Sequence, residues 1–114
     1  CKGRKAGVCA DGSYVPIFKV PPVYPRRAQE RGIEGCVQVE FTVTKVGSVR
    51  DPVVVYSVPN GIFDRSALRA ATKFKYKPQI RDGEAIEVPG VNNMIIFVIE
   101  NPDRPAGYVP AGCE

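Results

Sequence analysis

The chain of 114 residues contains no His, no Trp and a single Met. The missing His removes the commonest general base and the commonest metal ligand, and it excludes triads of the Ser-His-Asp type. Four Cys stand at positions 1, 9, 36 and 113, and no two of them form a C-x-x-C pair. The spacing of a structural zinc site is therefore absent, and no metal site is expected. The longest apolar run, Met94 to Ile99, is far too short to span a bilayer. No cleavable signal pattern is present either, so any targeting segment is expected outside this stretch. Phosphate-loop motifs and the alternating aromatic signature of RNA-recognition sheets are also missing, and no nucleic-acid partner is expected. Asp82, Glu84 and Glu87 cluster in sequence, but they lack an acid-base partner and read as a polar loop leading into a strand. The chain is read as a binding module and not as an enzyme, with no cofactor.

What is present suits one small globular domain. Hydrophobic residues make up 44% and charged residues 25% of the chain. The formal charge of +4 is unevenly spread. Residues 1–31 hold seven basic residues against Asp11 and Glu30, a balance of +5, and the remainder sums to −1. Residues 1–13 read as an irregular basic leader, residues 14–100 as the folded domain and residues 101–114 as a loose C-terminal tail. A basic segment over residues 1–31 also fits an envelope-binding module, for which steep salt dependence is expected.

Periodicity orders the domain. Residues 14–25 carry four prolines, which impose an extended path. Ile17, Val20, Val23 and Tyr24 are expected to pack along the body. Pro25 suits the first turn of a short helix to Arg31, ended by Gly32. Val37, Val39, Phe41 and Val43 alternate with polar residues and define a strand. A turn at Thr44–Gly47 leads to a second strand, about 48–58, interrupted by Pro52. Phe63, Ala67, Ala70, Ala71 and Phe74 form one face of a helix from about 62 to 74, stopped by Pro78. Leu68 falls off that stripe. Arg65, Arg69, Lys73, Lys75, Lys77 and Arg81 form a second basic series, most of it expected on the wet face of this helix. A polar loop with an Asp82-Gly83 turn precedes a last strand, about 85–100, broken near Pro89-Gly90. The order is extended segment-α-β-β-α-β. It implies an α+β fold: a two-layer sandwich of a three-stranded antiparallel sheet with two helices on one face.

The last strand carries the functional expectation. Val91, Asn93, Ile95, Phe97 and Ile99 fall on one face, and Asn92, Met94, Ile96, Val98 and Glu100 on the other. A strand buried on both sides would read the same way. A three-stranded sheet has one centre, however, and the cleanly alternating strand at 37–43 fills it. Pro52 marks one edge, since Pro is tolerated at edges and bulges. The last strand is left at the other edge without a guarding Pro or Lys between 91 and 99. Such an edge accepts an extended peptide as an added strand, or a second copy of the chain in a strand-mediated homodimer.

A family resemblance emerges from the motifs. Residues Val20-Pro21-Pro22-Val23-Tyr24-Pro25-Arg26-Arg27-Ala28-Gln29-Glu30-Arg31-Gly32-Ile33-Glu34-Gly35, the strand Val37 to Val43, and Gly47-Ser48-Val49 resemble the C-terminal domain of the TonB family. Phe63-Asp64-Arg65, Ala70, the Tyr76-Lys77-Pro78 end of the helix, Gly83-Glu84 and Val88-Pro89-Gly90-Val91 leading to Phe97 extend the match over about residues 16–100.

The resemblance implies a periplasmic domain of an energy transducer, tethered to the inner membrane by a segment outside this chain. It implies work with ExbB and ExbD through regions outside this chain. It implies that the domain grips the TonB box of outer-membrane transporters by strand addition and passes on proton-motive force for active uptake, as of siderophores. Carried over by position, the gripping strand is Asn92, Asn93, Met94, Ile95, Ile96, Phe97, Val98 and Ile99. Val20, Val23, Tyr24, Pro25 and Arg26 flank it. A TolA-like envelope-integrity tether is the alternative of the same fold, and the Tyr-Pro motif argues against it. In the oxidising periplasm that the resemblance implies, disulfides are expected. Four Cys allow three pairings. Antiparallel strands bring Cys36 near the end of the last strand, which favours Cys36–Cys113 and leaves Cys1–Cys9 as the other pair.

Overall fold

The alternation of Val37, Val39, Phe41 and Val43 does build the centre of the sheet. The computed structural model describes Gly7–Val8 and residues 14–114. Nine elements follow one another: β1 (Gly7–Val8), β2 (Tyr14–Val15), α1 (Arg26–Glu30), β3 (Gly35–Val43), β4 (Val49–Val58), α2 (Asp64–Ala71), β5 (Gln79–Arg81), β6 (Glu84–Ile86) and β7 (Val88–Phe97). The main sheet is antiparallel, in the order β4-β3-β7. Val37, Val39, Phe41 and Val43 of β3 are buried beneath Ala28 of α1 and Ala67, Ala70 and Ala71 of α2. The two helices thus share one face of a three-stranded sheet, as expected.

Side-chain volume explains the pairing of layers. The helices present Ala toward the sheet, so they approach closely, and rings fill the ends of the core. Phe63, just before α2, stacks on Phe97 of β7 with centroids 4.3 Å apart. Tyr24 meets both rings edge-on, at 5.6 and 5.8 Å. Its hydroxyl donates to the Ile33 carbonyl at 2.5 Å. Burial, and then the nearby Glu34 carboxylate, push the Tyr24 phenol above its ordinary value. All five residues of the predicted helical stripe are buried, and Leu68 lies half-buried against the same core. The regular helix ends at Ala71. The chain then tightens into i→i+3 bonds from Lys73 to Ala70 and from Phe74 to Ala71.

Several expectations need correction. Gly7–Val8 pairs with Tyr14–Val15, so part of the leader read as irregular is a strand. The polar loop at 79–84 is a hairpin, β5–β6, turned by Asp82 and Gly83, both at positive φ. The last strand ends at Phe97, two residues before Ile99. Its continuation through Pro89-Gly90 is accommodated by a register shift between Phe41 and Val43 of β3. Ile17 and Val23 do not pack on the body: they remain exposed, Val23 at 81%.

The tail is not loose. Cys36 is bonded to Cys113, the favoured pairing. Pro110 and Cys113 are buried. Tyr56 on β4 donates its hydroxyl to the Gly112 carbonyl at 2.6 Å. Cys1 and Cys9 lie outside the described residues. No helix among the described residues is long and apolar enough to cross a membrane.

Candidate functional site

Pairing in the sheet decides which edge is open. β3 is bonded on both sides, to β4 and to β7. β4 carries Pro52 and a register shift opposite Glu40–Thr42, both of which disrupt regular pairing along its outer edge. Among the described residues, β7 has strand neighbours on its β3 side only. From Val91 to Phe97 it contains neither Pro nor a charged residue.

The two faces of β7 differ. Val91, Ile95 and Phe97 point into the core and are buried. Asn93 shares that face, and its Oδ1 is buried without a hydrogen-bond partner. Asn92, Met94 and Ile96 lie on the open face, opposite Glu40, Gln38 and Cys36 of β3. Ile96 is 36% exposed. Gln38 donates through Nε2 to Asn92 Oδ1 at 2.9 Å, and Asn92 Nδ2 donates to the Gly90 carbonyl at 3.1 Å. The six residues from Asn92 to Phe97 are therefore held in strand geometry. Val98 and Ile99, expected to complete the grip, have left the ladder.

One part-buried carboxylate explains that exit. Glu34, whose side chain is 9% exposed, sits immediately before β3. Its Oε2 accepts the Ile99 N–H at 2.7 Å and Arg104 Nη1 at 2.5 Å, and its Oε1 accepts the Tyr108 hydroxyl at 3.3 Å. The Arg104 guanidinium in turn lies 4.2 Å from the centroid of the Tyr108 ring. Bonding to Arg104 above all holds the Glu34 carboxyl below the usual carboxylate range. Glu34 ends β7 and starts the tail on its path to Cys36. A carboxylate in the Gly32–Gly35 turn was the signal for this in the sequence, but its partners lie 65 to 74 positions away.

The flanking residues divide. Tyr24 reaches β7 through Phe97. Val20, Val23 and Pro25 line a groove against α2 instead. Arg26 is exposed and lies 3.9 Å from Glu30, one helical turn on. At the opposite end of the sheet, Arg50 of β4 donates from its two terminal guanidinium nitrogens, Nη1 and Nη2, to Glu87, a forked pair that bridges β4 and the residue just before β7 across the end of β3. Among the described residues no group of His, Cys, Asp or Glu could hold a metal ion.

Comparison with known proteins agrees with this geometry. The profile of the family described as the Gram-negative bacterial TonB protein C-terminal matches residues 20–99. The chain belongs to this TonB C-terminal family. It is 40% identical over 98 residues to Protein TonB of Pseudomonas aeruginosa, an overlap of 86% of this chain and 28% of that protein. The chain thus spans little more than a quarter of the length of that relative. The solution NMR structure of the Pseudomonas aeruginosa TonB C-terminal domain superposes with a TM-score of 0.64 at 42% identity, covering 75% of this chain and 86% of that one. The TonB2 protein of Vibrio anguillarum gives 0.59 at 40% identity, covering 85% of this chain and 92% of that one.

Proposed function

We propose that this chain is the periplasmic binding domain of a TonB-like energy transducer. In this reading it is a binding module, not an enzyme, and the open edge of β7 takes the TonB box of an outer-membrane transporter as a fourth strand. The observation that carries the reading is that edge: one long, uncharged strand that, among the described residues, is paired on one side only. Parity along the strand refines it. The Thr44 N–H at the end of β3 donates to the Ser48 carbonyl on the β4 side, so the odd-numbered residues of β3 face β7 and their partners Val91, Asn93, Ile95 and Phe97 face β3 in return. Alternation then turns the backbone groups of Asn92, Met94 and Ile96 outward.

Each backbone hydrogen bond nets about 0.5–1.5 kcal/mol, so a short peptide is held reversibly and with tolerance for its side chains. A pull along the strand loads these bonds together. The inner-membrane tether, and any contact with ExbB and ExbD, belong to parts of the protein beyond this domain.

The test is an amide titration of the isotope-labelled domain with a synthetic TonB-box peptide under non-reducing conditions. Shifts are expected at 91–97, with further shifts near Tyr24. Ile96→Pro removes an outward donor and is expected to abolish binding while circular dichroism stays unchanged. Unchanged affinity in a folded Ile96→Pro variant overturns the reading. Concentration-dependent size with no peptide response would mean that the edge is consumed by a second copy of the chain.

A further inference from the structure

The segment that enters the domain runs back along α2. Past the end of the helix, Phe18 N–H donates to the Lys75 carbonyl at 3.1 Å and Lys75 N–H donates to the Phe18 carbonyl at 2.9 Å. At the start of the helix, the Ser66 hydroxyl donates to the Val23 carbonyl. Between these two ties the chain and the helix stand apart as the walls of a groove of about 600 Å³. One wall is Val20, Pro21, Pro22 and Val23, and the solvent face of α2 is the other, with Ile62 at its foot. Val23 and Ile62 are apolar yet exposed, at 81% and 43%.

The helical wall is cationic. Arg65, Arg69 and Lys73 line it at four-residue intervals, and all three are exposed. None is in an ion pair among the described residues. Asp64, in the first turn, is the sole acidic residue of α2. A helical rise of about 1.5 Å per residue sets Arg65 and Arg69 about 6 Å apart along the axis, and Lys73 follows in the tighter turn just past the end of α2. An extended peptide repeats its same-side residues at about 6.6–6.8 Å. Carboxylates on alternate residues therefore match the row, and the residues between them turn toward the apolar wall. Pro21, Pro22 and Pro25 have no N–H, so this wall cannot supply a regular backbone ladder. Side-chain charge and apolar contact must provide the hold. Among the described residues no aromatic side chain lines the groove, so these offer no stacking platform for nucleic-acid bases.

We propose that this groove is a second docking site, separate from the β7 edge, for an extended acidic peptide of a partner protein with carboxylates on alternate residues and apolar residues between them.

The experiment titrates the labelled domain with a capped Glu-Val-Glu-Val-Glu-Val peptide. Shifts are expected at Val20, Val23, Arg65, Arg69 and Lys73, and not at 92–96. Affinity is expected to fall about tenfold between low and moderate salt. It should fall by a similar factor in the Arg65→Gln/Arg69→Gln double variant, whose exposed substitutions leave the fold intact. Equal binding of Gln-Val-Gln-Val-Gln-Val would overturn the proposal by showing an apolar groove only. Equal binding of Glu-Glu-Glu-Val-Val-Val would overturn the alternate-residue match. An absence of shifts at millimolar peptide, or a response of the same residues to anionic lipid vesicles but not to the peptide, would overturn it too. A TonB-box peptide added to the complex should leave these shifts in place, so failure at either site is read independently of the other.

Discussion

Cys36 is bonded to Cys113 across a separation of 77 residues, and on either side Cys36 faces Ile96 of β7 and Val58 of β4. The disulfide therefore anchors the tail to the central strand, at one end of the face that the helices leave uncovered. Tyr56 adds the hydrogen bond to Gly112 beside it. The strap crosses the face of the sheet and leaves the outer edge of β7 unpaired.

Loop closure gives the strap a measurable weight. In the chain-entropy view, a bond closing a loop of 77 residues stabilises by about 4 to 5 kcal/mol, an upper figure. The double variant Cys36→Ala/Cys113→Ala is expected to lower the urea midpoint, with an unfolding free energy reduced by up to about 4 kcal/mol, and to free residues 105–114 in amide exchange. An unchanged midpoint would show that the tail adds nothing to the fold.

Acid should release the start of the tail first. The folded-state value of Glu34 lies below its ordinary one, chiefly through Arg104. The unfolded chain therefore takes up this proton more readily, since an unperturbed Glu titrates near about 4.3. The stabilisation is complete above that value and is lost as pH falls through the folded-state value. The expected outcome is loss of Ile99 amide protection between about pH 4 and lower pH, with tail contacts loosening together. In Glu34→Gln the Ile99 amide should show no such acid transition.

Two glycines separate strain from collision. Gly47 and Gly32 both have positive φ, at 83° and 68°. A Cβ at Gly47 would fall 2.0 Å from the Tyr76 carbonyl oxygen, and one at Gly32 would meet nothing within 4 Å. The Gly47 carbonyl also accepts the Tyr76 N–H. Gly32→Ala is expected to cost about 1–2 kcal/mol from backbone conformation alone. Gly47→Ala should cost clearly more, because backbone must move. Equal costs by denaturant titration would contradict the collision.

The ring cluster should dominate core stability. Phe63 is fully buried between Tyr24 and Phe97. Phe63→Ala is expected to destabilise by about 3–5 kcal/mol. Leu68→Ala, at a half-buried site, should cost less. Thermal unfolding of the two variants side by side checks the order.

Local patterns in the sequence determined the elements and their layering. Alternation at 37–43 marked the central strand, because a strand with one core face must place every second residue inward. The 63-67-70-71-74 stripe marked the helix face for the corresponding reason with a 3.6-residue period. Pro52 identified one edge of the sheet through its missing N–H, which left the last strand as the other edge. The motif run from Val20 to Gly35 indicated the family in combination with the Tyr76-Lys77-Pro78 end of the helix region.

Only the tertiary structure decided where β7 stops, what the tail does and where the proline-rich segment lies. Each of these depends on side chains meeting over tens of residues. Glu34 draws in Ile99, Arg104 and Tyr108, and Cys36 holds Cys113, pairs with no periodic trace in the chain. Val23 was expected inside on its hydrophobicity, yet it is exposed, because Ser66 ties its carbonyl to α2 while Tyr24 takes the place in the core. Hydrophobic periodicity is a property of neighbours in sequence and so reports local structure. A single part-buried carboxylate or a single disulfide acts through space, and it becomes legible only once the chain has folded around it.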